Sequence, residues 1–271
     1  MPRQPKRFLV KDLELPGLVV LDSNDSYHLR GVLRLKSGDT CLVADSKGRE
    51  ALALVSQFRR DGLVELKLMS SPKNLMKNSY IIVAQAIPQR GIMNALVQKA
   101  GELGIAKLIP LITKRTQVHI AGSALERVMG RWKRIAREAA KQSGNPEISV
   151  ELPSTVEEIL QKRGEFKQIY LAHPKAEPLN YKSVTESNVT PAKAGIQELD
   201  PRFRGGDMGS DDQPVLILIG PEGGFTEEEI DQAEKAGATV FSLFSGVLKS
   251  ETAFVSIVSL FRYLLESGKA N

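Results

Sequence analysis

Short apolar runs alternate with stretches of helical periodicity from about residue 79 to the C-terminus. Four of these runs, Tyr80–Ala86, Lys107–Leu111, Gln168–Ala172 and Val215–Ile219, have the length and composition of buried strands. Between the first two, Met93–Leu103 carries apolar residues at helical spacing. Because parallel strands need a crossover connection, usually a helix, this alternation predicts an α/β fold with a largely parallel sheet.

The segment before Pro72 shows a different pattern. Turns rich in Gly, Asp and Ser separate short β-like runs, namely Leu18–Leu21, Gly31–Leu35, Thr40–Ala44, Ala51–Val55 and Leu63–Met69. Several short strands at this spacing predict a small β-barrel. Ser70–Asn78 is polar, contains a proline and is the predicted linker. We therefore predict a barrel over residues 1–72 and an α/β domain over residues 73–271.

An amphipathic helix is predicted from Leu125 to Lys141. Its apolar stripe has a period of 3.6 residues and consists of Leu125, Val128, Met129, Trp132, Ile135, Ala136 and Ala139. Basic residues occupy the opposite face, namely Arg127, Arg131, Arg134 and Lys141. A face that is almost purely basic favours contact with a polyanion, and a merely solvated face is the alternative.

Charge is distributed unevenly along the chain, whose net charge is +5. Gln89–Asn145 holds eleven Lys or Arg and three Glu, a balance of +8, and Pro214–Asn271 holds four Lys or Arg and eight Asp or Glu, a balance of −4. This asymmetry predicts one region that binds a polyanion such as RNA and a separate region for catalysis or packing.

Composition restricts the class of protein. The chain has 271 residues, 42% of them hydrophobic and 25% charged, which is typical of a globular protein with one or two domains. Its single cysteine, Cys41, cannot form an internal disulfide and favours a reducing compartment. No apolar run approaches the ~20 residues that cross a bilayer, and the basic N-terminus lacks a signal-peptide core, so a cytoplasmic location is expected. The histidines lack the spacing of metal ligands, and no metal site is expected.

The C-terminal region contains the clearest candidate for a ligand site. Val215–Ile219 leads directly into the glycine-rich turn Gly220–Gly224, and Thr226 with Glu229 forms a capping box for the next helix. A second strand then ends in a loop, and a last helix begins at Ser250–Ala253. Loops at the carboxyl ends of strands form the crevice where open α/β sheets bind ligands. A glycine-rich turn that binds nothing is the alternative.

The carboxylate of Glu222 within this turn narrows the class of ligand. The turn matches neither GxGxxG nor GxxxxGK[ST], the common phosphate-binding patterns. A carboxylate also repels phosphate. A ligand that carries an amine, a ribose or a sulfonium therefore suits the turn better.

Two motifs in this region, IGPEGGFTEEEI at 219–230 and SLFSGVLKSETA at 242–253, resemble the signature of a known family. That family is the SPOUT methyltransferases that modify uridine at ring nitrogen 3 in 16S ribosomal RNA. The resemblance also covers His28–Leu29, Arg90–Gly91 and His173–Pro174, and extends over nearly the whole chain except about 25 residues around position 200. The family pattern LGxRILRTETA is altered here, most visibly at Phe244, Gly246, Lys249 and Ser250.

The resemblance implies a fold, a cofactor and partners. It implies a PUA-like or OB-like RNA-binding barrel followed by a SPOUT domain in which Pro214–Ala253 forms a trefoil knot. It also implies a homodimer that packs through that region, S-adenosylmethionine as the cofactor, and 16S ribosomal RNA of the small subunit or its precursor as the substrate.

The resemblance also implies which residues form the site. The residues expected to hold the cofactor are Leu171, His173, Gly220, Pro221, Glu222, Gly223, Gly224, Leu243, Leu248, Ser250, Thr252 and Ala253. The residues expected to contact RNA are Arg7, Arg30, Arg34, Arg90, Arg127, Arg131, Arg134 and Lys141. Lys249 or Arg115 is a candidate for stabilising the uridine anion, and Glu251 for orienting the base or accepting its proton. A favourable charge in the first turn of the last helix is the alternative role of Glu251.

Two other functions stay open. The same cleft could methylate a ribose 2′-hydroxyl. Alternatively, the chain could be a non-catalytic RNA-binding factor in ribosome assembly, because Phe244, Gly246 and Lys249 depart from the family pattern.

Ser187–Gln213 interrupts the α/β pattern with a stretch rich in Gly, Pro, Asp and Ser. It resembles the translated form of a palindromic repeat dispersed in some bacterial genomes. Because long polar loops are tolerated at little cost, we expect a mobile insertion without a role in the reaction.

Overall fold

A computed structural model describes residues 6–13, 17–45, 49–74, 80–89, 91–118, 120–180, 184, 213–244 and 246–267. By compactness the chain divides into two units. The first unit comprises residues 1–79, 97–106 and 123–150, and the second comprises 80–96, 107–122 and 151–271. The domain boundary at residue 72 stays a prediction, and the compact units differ from it because the predicted amphipathic helix belongs to the first unit. None of the helices within the described ranges is long and apolar enough to cross a membrane.

The first unit is built on a mainly antiparallel sheet. Its strands are β1 (Arg7–Val10), β2 (Leu18–Val20), β3 (Thr40–Asp45), β4 (Arg49–Phe58), β5 (Val64–Leu68) and β6 (Lys73–Asn74). The strand order is β1-β3-β4-β5-β2, with β6 paired to β4, and the β1–β3 pair is parallel. Alternate residues of these strands, among them Cys41, Val43, Ala53 and Val55, point into one apolar core.

The prediction of a strand over Gly31–Leu35 was wrong. Helix α1 (Ser23–Tyr27) continues as a wider helical turn over His28–Val32, and residues 33–35 form no regular secondary structure. The carboxylate of Asp22 accepts the backbone N–H of Asp25 at 2.8 Å and so caps the start of α1. A local cap of this kind stabilises the first turn of a helix and here outweighs the strand preference of the apolar residues that follow.

The long helix of the first unit, α3 (Ser123–Ser143), confirms the amphipathic pattern. Its apolar stripe is buried at Met129, Trp132, Ala136 and Ala139. Gly101 makes close packing possible, since a Cβ there would lie 2.7 Å from the Cβ of Ala139. Gly101 belongs to helix α2 (Met93–Leu103), which was predicted with these bounds.

The second unit is an α/β structure with a parallel sheet, as the sequence predicted. Its strands are β7 (Ile81–Ala86), β8 (Lys107–Ile112), β10 (Ser154–Thr155), β11 (Gln168–Ala172), β12 (Val215–Ile219) and β13 (Thr239–Phe241). The short strand β9 (Ser149–Val150) precedes β10 in the chain and is counted with the first unit. The order is β10-β8-β7-β12-β11-β13, and every pair along it is parallel. The carboxyl ends of all six strands therefore meet at one edge.

Helices cover both faces of this sheet. On one face α4 (Val156–Leu160) and α5 (Glu227–Lys235) pack on a core that includes Leu171, Leu216 and Leu218. On the other face lies α6 (Ser250–Ser267), where Phe261 meets the rings of Tyr170 and Phe241 at centroid distances of 4.8 and 5.6 Å. Strands covered on both faces are apolar throughout, which explains the continuous apolar runs in the sequence.

Candidate functional site

A cavity of about 510 Å³ opens at the carboxyl edge of the parallel sheet. Three loops that follow β11, β12 and β13 form it together with the start of α6 and one side chain from the loop after β8. The lining includes Arg115, His173, Lys175, Ile219, Gly220–Phe225, Phe241–Phe244, Gly246–Ser250, Ala253 and Ile257. Every lining residue belongs to the second unit.

The glycine loop Gly220–Gly224 needs glycine at two positions for different reasons. At Gly220 a Cβ would lie 3.1 Å from the ring of Phe225, so a side chain there would displace that ring. Gly224 has φ +70°, a backbone conformation that other residues adopt only with strain, and its N–H donates to Pro221 O at 2.8 Å. Gly223 is less constrained, because a Cβ there would meet the side chain of Arg115 at an ordinary 3.4 Å. The loop is thus a tight turn whose backbone lies on the cavity wall.

The loop after β8 holds the glycine loop in place. Arg115 Nη1 donates to Gly223 O at 2.7 Å and to Phe225 O at 3.1 Å. The buried carboxylate of Glu229 accepts the backbone N–H of Lys114 at 2.8 Å. Its second oxygen accepts the N–H of Thr226 at 2.8 Å, which completes the predicted capping box of α5. The Arg115 guanidinium that was a candidate for the reaction therefore also fixes the shape of the turn.

The loop Ser242–Lys249 forms the opposite wall of the cavity, where Ser245 lies outside the described residues. Its first residue is tied down, since Ser242 N–H donates to Glu177 O at 2.9 Å and Ser242 O accepts Leu179 N–H at 3.0 Å. Phe244 and Val247 of this loop are 58% and 80% exposed, which is high for large apolar side chains. The loop ends where Lys249 O accepts the N–H of Ala253 at 2.8 Å and α6 begins.

His173 follows β11 and lines the cavity. Its backbone N–H donates to Phe241 O at 2.8 Å, and its imidazole makes no hydrogen bond within the described part of the chain. Desolvation lowers the pKa of His173, and the nearby cations Lys175 and Arg115 lower it further. The imidazole is therefore neutral at neutral pH and has a ring nitrogen free to accept a proton.

Most residues expected to hold the cofactor line this cavity. Those that do are His173, Gly220, Pro221, Glu222, Gly223, Gly224, Leu243, Leu248, Ser250 and Ala253. Leu171 instead lies fully buried in the core, and Thr252 is exposed and absent from the lining. Among the three residues considered for the reaction, Arg115 and Lys249 line the cavity and Glu251 does not.

Sequence reasoning missed several apolar lining residues and one cation. Phe225 and Ile257 contribute wall area, and Lys175 adds a positive charge. Phe225 and Lys175 directly follow motifs that had been singled out, GPEGG and His173–Pro174, and could have been included on that ground. Ile257 lies one helical turn after Ala253, and its helical spacing was the available signal.

The residues expected to contact RNA fall into two groups. Arg127, Arg131 and Arg134 are exposed on α3, and Arg30 and Arg34 are exposed in and just after the helical turn His28–Val32 of the same unit. Arg30 lies over the ring of Phe58, with 5.4 Å from its guanidinium carbon to the ring centroid. Arg34 has φ 55° although it is not glycine. Arg90 lies outside the described residues.

The structure uses Arg7 and Lys141 within the fold and does not leave them on a free surface. Lys141 forms ion pairs with Asp25 at 2.6 Å and Glu138 at 3.3 Å, and its side chain is 16% exposed. Arg7 pairs with Glu50 at 3.0 Å and has a side chain that is 7% exposed. The helical period placed Lys141 on the correct face of α3, but that part of the face packs inside the unit.

Comparison with known proteins agrees with this architecture. The family model described as RNA methyltransferase domain matches residues 76–262. The ribosomal RNA small subunit methyltransferase E of Bacillus subtilis (strain 168) is 24% identical over 247 residues, covering 91% of this chain and 90% of that protein. Among solved structures, a methyltransferase of Legionella pneumophila in complex with the bound cofactor SAM is 25% identical with a TM-score of 0.73, over 96% of this chain and 98% of that one.

A second solved structure extends the likeness in fold. The ribosomal RNA small subunit methyltransferase E from Neisseria gonorrhoeae, bound to S-adenosyl methionine, superimposes with a TM-score of 0.75 at 23% identity, over 97% of this chain and 98% of that one. The matched family model spans the parallel sheet, the glycine loop and most of α6. This chain therefore belongs to the RNA methyltransferase domain family.

Proposed function

We propose that this protein is a cytoplasmic enzyme that transfers a methyl group from S-adenosylmethionine to ring nitrogen 3 of a uridine in 16S ribosomal RNA. The observation that carries the proposal is the cavity itself. One of its loops has the GPEGG motif, the start of α6 has the SETA motif, and the chain belongs to a family of RNA methyltransferases. Relatives that share the whole fold have been solved with this cofactor bound.

The cavity fits an adenosine-sized ligand with a positively charged sulfur. Its volume of about 510 Å³ lies within the ~300–1,000 Å³ common for small-molecule sites. Gly220–Gly224 bring backbone to the surface of the cavity, and Ile219, Leu248 and Ile257 supply apolar area for a ring. Glu222 supplies a carboxylate that a sulfonium or an amine tolerates. When bound, the cofactor supplies an electrophilic methyl group.

The side chains of the cavity suit removal of the uridine N3 proton. In our proposal a ring nitrogen of His173 accepts this proton, because the imidazole is neutral and has no other hydrogen-bond partner among the described residues. Three positively charged side chains, Arg115, Lys175 and Lys249, also line the cavity, whereas Glu222 supplies its one carboxylate among the described lining residues. Their positive charge stabilises the uridine anion formed when the proton leaves. Glu251 does not line the cavity, so we assign it to the first turn of α6, where a carboxylate stabilises the helix.

The first unit supplies the RNA-binding surface in this proposal. We assign the role to Arg127, Arg131 and Arg134 of α3, to Arg30 of the helical turn His28–Val32 and to Arg34, which follows that turn. Arg34 supports the assignment, because a positive φ at a residue other than glycine strains the backbone. A strained arginine at a position where glycine would be relaxed suggests that its guanidinium is needed.

Three structural expectations belong to the same proposal. We infer a PUA-like or OB-like class for the first-unit sheet, a trefoil knot over Pro214–Ala253, and a homodimer. The position of β11 between the later strands β12 and β13 supports the knot. Phe244, Val247 and Tyr263 are each more than half exposed, which supports burial of this apolar surface against a second copy.

The reaction is tested by incubating the protein with methyl-labelled S-adenosylmethionine and undermethylated small ribosomal subunits. Digestion of the RNA and mass spectrometry of the nucleosides should then detect 3-methyluridine. The His173→Gln protein should bind the cofactor and lose most of the transfer. Detection of 2′-O-methyluridine would establish ribose methylation, and RNA binding without cofactor binding would establish a non-catalytic factor.

The RNA surface is tested by changing Arg127, Arg131 and Arg134 together to Gln, which preserves helix propensity and leaves the buried stripe of α3 intact. Cofactor affinity should stay the same and RNA affinity should fall. Each lost phosphate contact should reduce the slope of log affinity against log salt by roughly 0.7 to 0.9. Equal slopes for the two proteins would show that these arginines are only solvated surface.

A further inference from the structure

A polar side chain lies within a fully buried strand of the second unit. Strand β7 has the sequence IIVAQA, is buried along its whole length and contains Gln85, which is 0% exposed. Ile82, Ala84 and Ala86 face the core cluster below α4 and α5. Gln85 therefore faces the opposite side of the sheet, where α6 begins. In the sheet register Gln85 is the neighbour of Ile219, the last residue before the glycine loop.

Both amide hydrogens of Gln85 have found acceptors. Nε2 donates to Ala86 O at 2.9 Å and to Ser250 Oγ at 3.0 Å. Oε1 is buried and has no hydrogen-bond partner among the described residues. The reverse orientation of the amide would place Oε1 against the carbonyl oxygen of Ala86, and two acceptors repel. The carbonyl of Ala86 thus fixes the orientation in which Gln85 donates to Ser250.

This orientation decides where the Ser250 proton goes. A serine hydroxyl has one proton and can accept two hydrogen bonds. Because Gln85 occupies an accepting position, the proton must point away from Gln85. No described residue accepts it, and Ser250 is 7% exposed and lines the cavity.

We propose that Gln85 is a positioning residue that aims the Ser250 hydroxyl proton into the cavity, where it is donated to an acceptor atom of the nucleoside cofactor. This inference rests on the proposed function. The cofactor is assigned as the acceptor because Ser250 is almost fully buried, whereas RNA reaches the cavity from solvent. The unpartnered buried oxygen of Gln85 costs stability, which offsets what the two hydrogen bonds donated by Nε2 contribute. The task of orienting Ser250 explains a polar residue at this buried position.

The test is a double-mutant cycle read by calorimetry with S-adenosylmethionine. Ser250→Ala should raise the dissociation constant about tenfold, in line with loss of a buried hydrogen bond. Gln85→Met should raise it about threefold, because the hydroxyl remains but is no longer oriented. The double variant should bind no more weakly than Ser250→Ala alone, since Gln85 acts through Ser250. Ser250→Thr should retain affinity, and Ser259→Ala, an exposed serine of the same helix, is the matched control.

Thermal unfolding separates positioning from a merely structural role. Gln85→Met keeps the side-chain volume and removes the unpartnered oxygen together with the two hydrogen bonds that Nε2 donates, so its melting temperature should stay close to that of the wild type while its cofactor affinity falls. Wild-type affinity in folded Ser250→Ala protein would overturn the inference, and so would additive losses in the double variant. Failure of the wild-type protein to bind S-adenosylmethionine would overturn the proposed function as well.

Discussion

The buried carboxylate of Glu229 should contribute more to stability and to the site than any other residue of its helix. It is 4% exposed and accepts hydrogen bonds from three donors on two loops. Oε1 takes the backbone N–H of Lys114 at 2.8 Å, and Oε2 takes Thr226 N–H at 2.8 Å and its hydroxyl at 3.3 Å. Glu229→Ala removes all of these acceptors at once and leaves the backbone N–H groups of Lys114 and Thr226, both partly buried in these bonds, without this partner.

The size of the effect follows from these bonds. Loss of the capping interaction costs about 1 kcal/mol. Loss of the partly buried, charge-assisted hydrogen bonds from two backbone N–H groups adds about 2 kcal/mol. We therefore expect Glu229→Ala to lower the free energy of unfolding by about 3 kcal/mol. For a chain of this size that corresponds to a decrease of roughly 5–10 °C in melting temperature.

Urea denaturation followed by circular dichroism measures this loss, and Glu228→Ala is the matched control. Glu228 occupies the preceding position of α5, and its ion pair with Lys114 joins side chains that are 71% and 56% exposed. Removal of such an exposed pair should leave stability within error. Cofactor affinity should fall only in Glu229→Ala, because the loop that carries Arg115 loses its attachment to α5. Equal denaturation midpoints for the two variants would refute this reasoning.

Three further outcomes are expected. Gly130→Ala should raise the free energy of unfolding by about 0.5–1 kcal/mol in urea denaturation, because Gly130 lies inside α3 with nothing near the position of a Cβ. Burial raises the pKa of the Cys41 thiol to about 11 from 9.0, so a thiol reagent at pH 8 should label the protein only after unfolding. Because the pKa of Cys41 is higher in the folded than in the unfolded protein, the neutral thiol contributes its full stabilisation below about pH 9 and loses it as the pH rises toward 11. The free energy of unfolding should therefore decrease over this pH range, and it should decrease less in Cys41→Ala. Replacement of residues 188–211, which lie outside the described part of the chain, by a short Gly/Ser loop should preserve melting temperature and methyl transfer, and loss of transfer in a stable protein would assign the segment a function.

Signals confined to a few neighbouring residues predicted the second unit well. Val215–Ile219 and Gln168–Ala172 form strands with the predicted bounds, because strands buried on both faces are apolar at every position. The capping box at Thr226 is present with both of its hydrogen bonds. The same kind of local apolar signal gave the wrong prediction of a strand at Gly31–Leu35. The helix that Asp22 caps continues as a helical turn as far as Val32, so the start of that range is helical.

Interactions between distant segments could not be predicted from the sequence. The periodicity of α3 separated its basic face from its apolar stripe, but it gave no sign that Lys141 and Arg137 meet Asp25 and Asp22. Those partners lie more than one hundred positions away in the chain, at 116 and 115 residues. Arg115 likewise bonds to carbonyls 108 and 110 residues away. Local periodicity determines which face a residue occupies, whereas its tertiary partner depends on the fold.

The same distant contacts explain how a loop rich in glycine can form a binding site. Glycine allows the positive φ of Gly224 and the close approach of Gly220 to the Phe225 ring, but it also leaves the unfolded backbone with more freedom to lose. Such a loop binds a ligand well only if other groups restrict it beforehand. Strand β7 separates β8 from β12 in the sheet, so Arg115 reaches across the end of β7 to Gly223 and Phe225. Gln85 lies at that same end of β7 and donates to Ser250. The contacts that restrict the glycine loop and the contact that orients Ser250 therefore both lie at the end of β7.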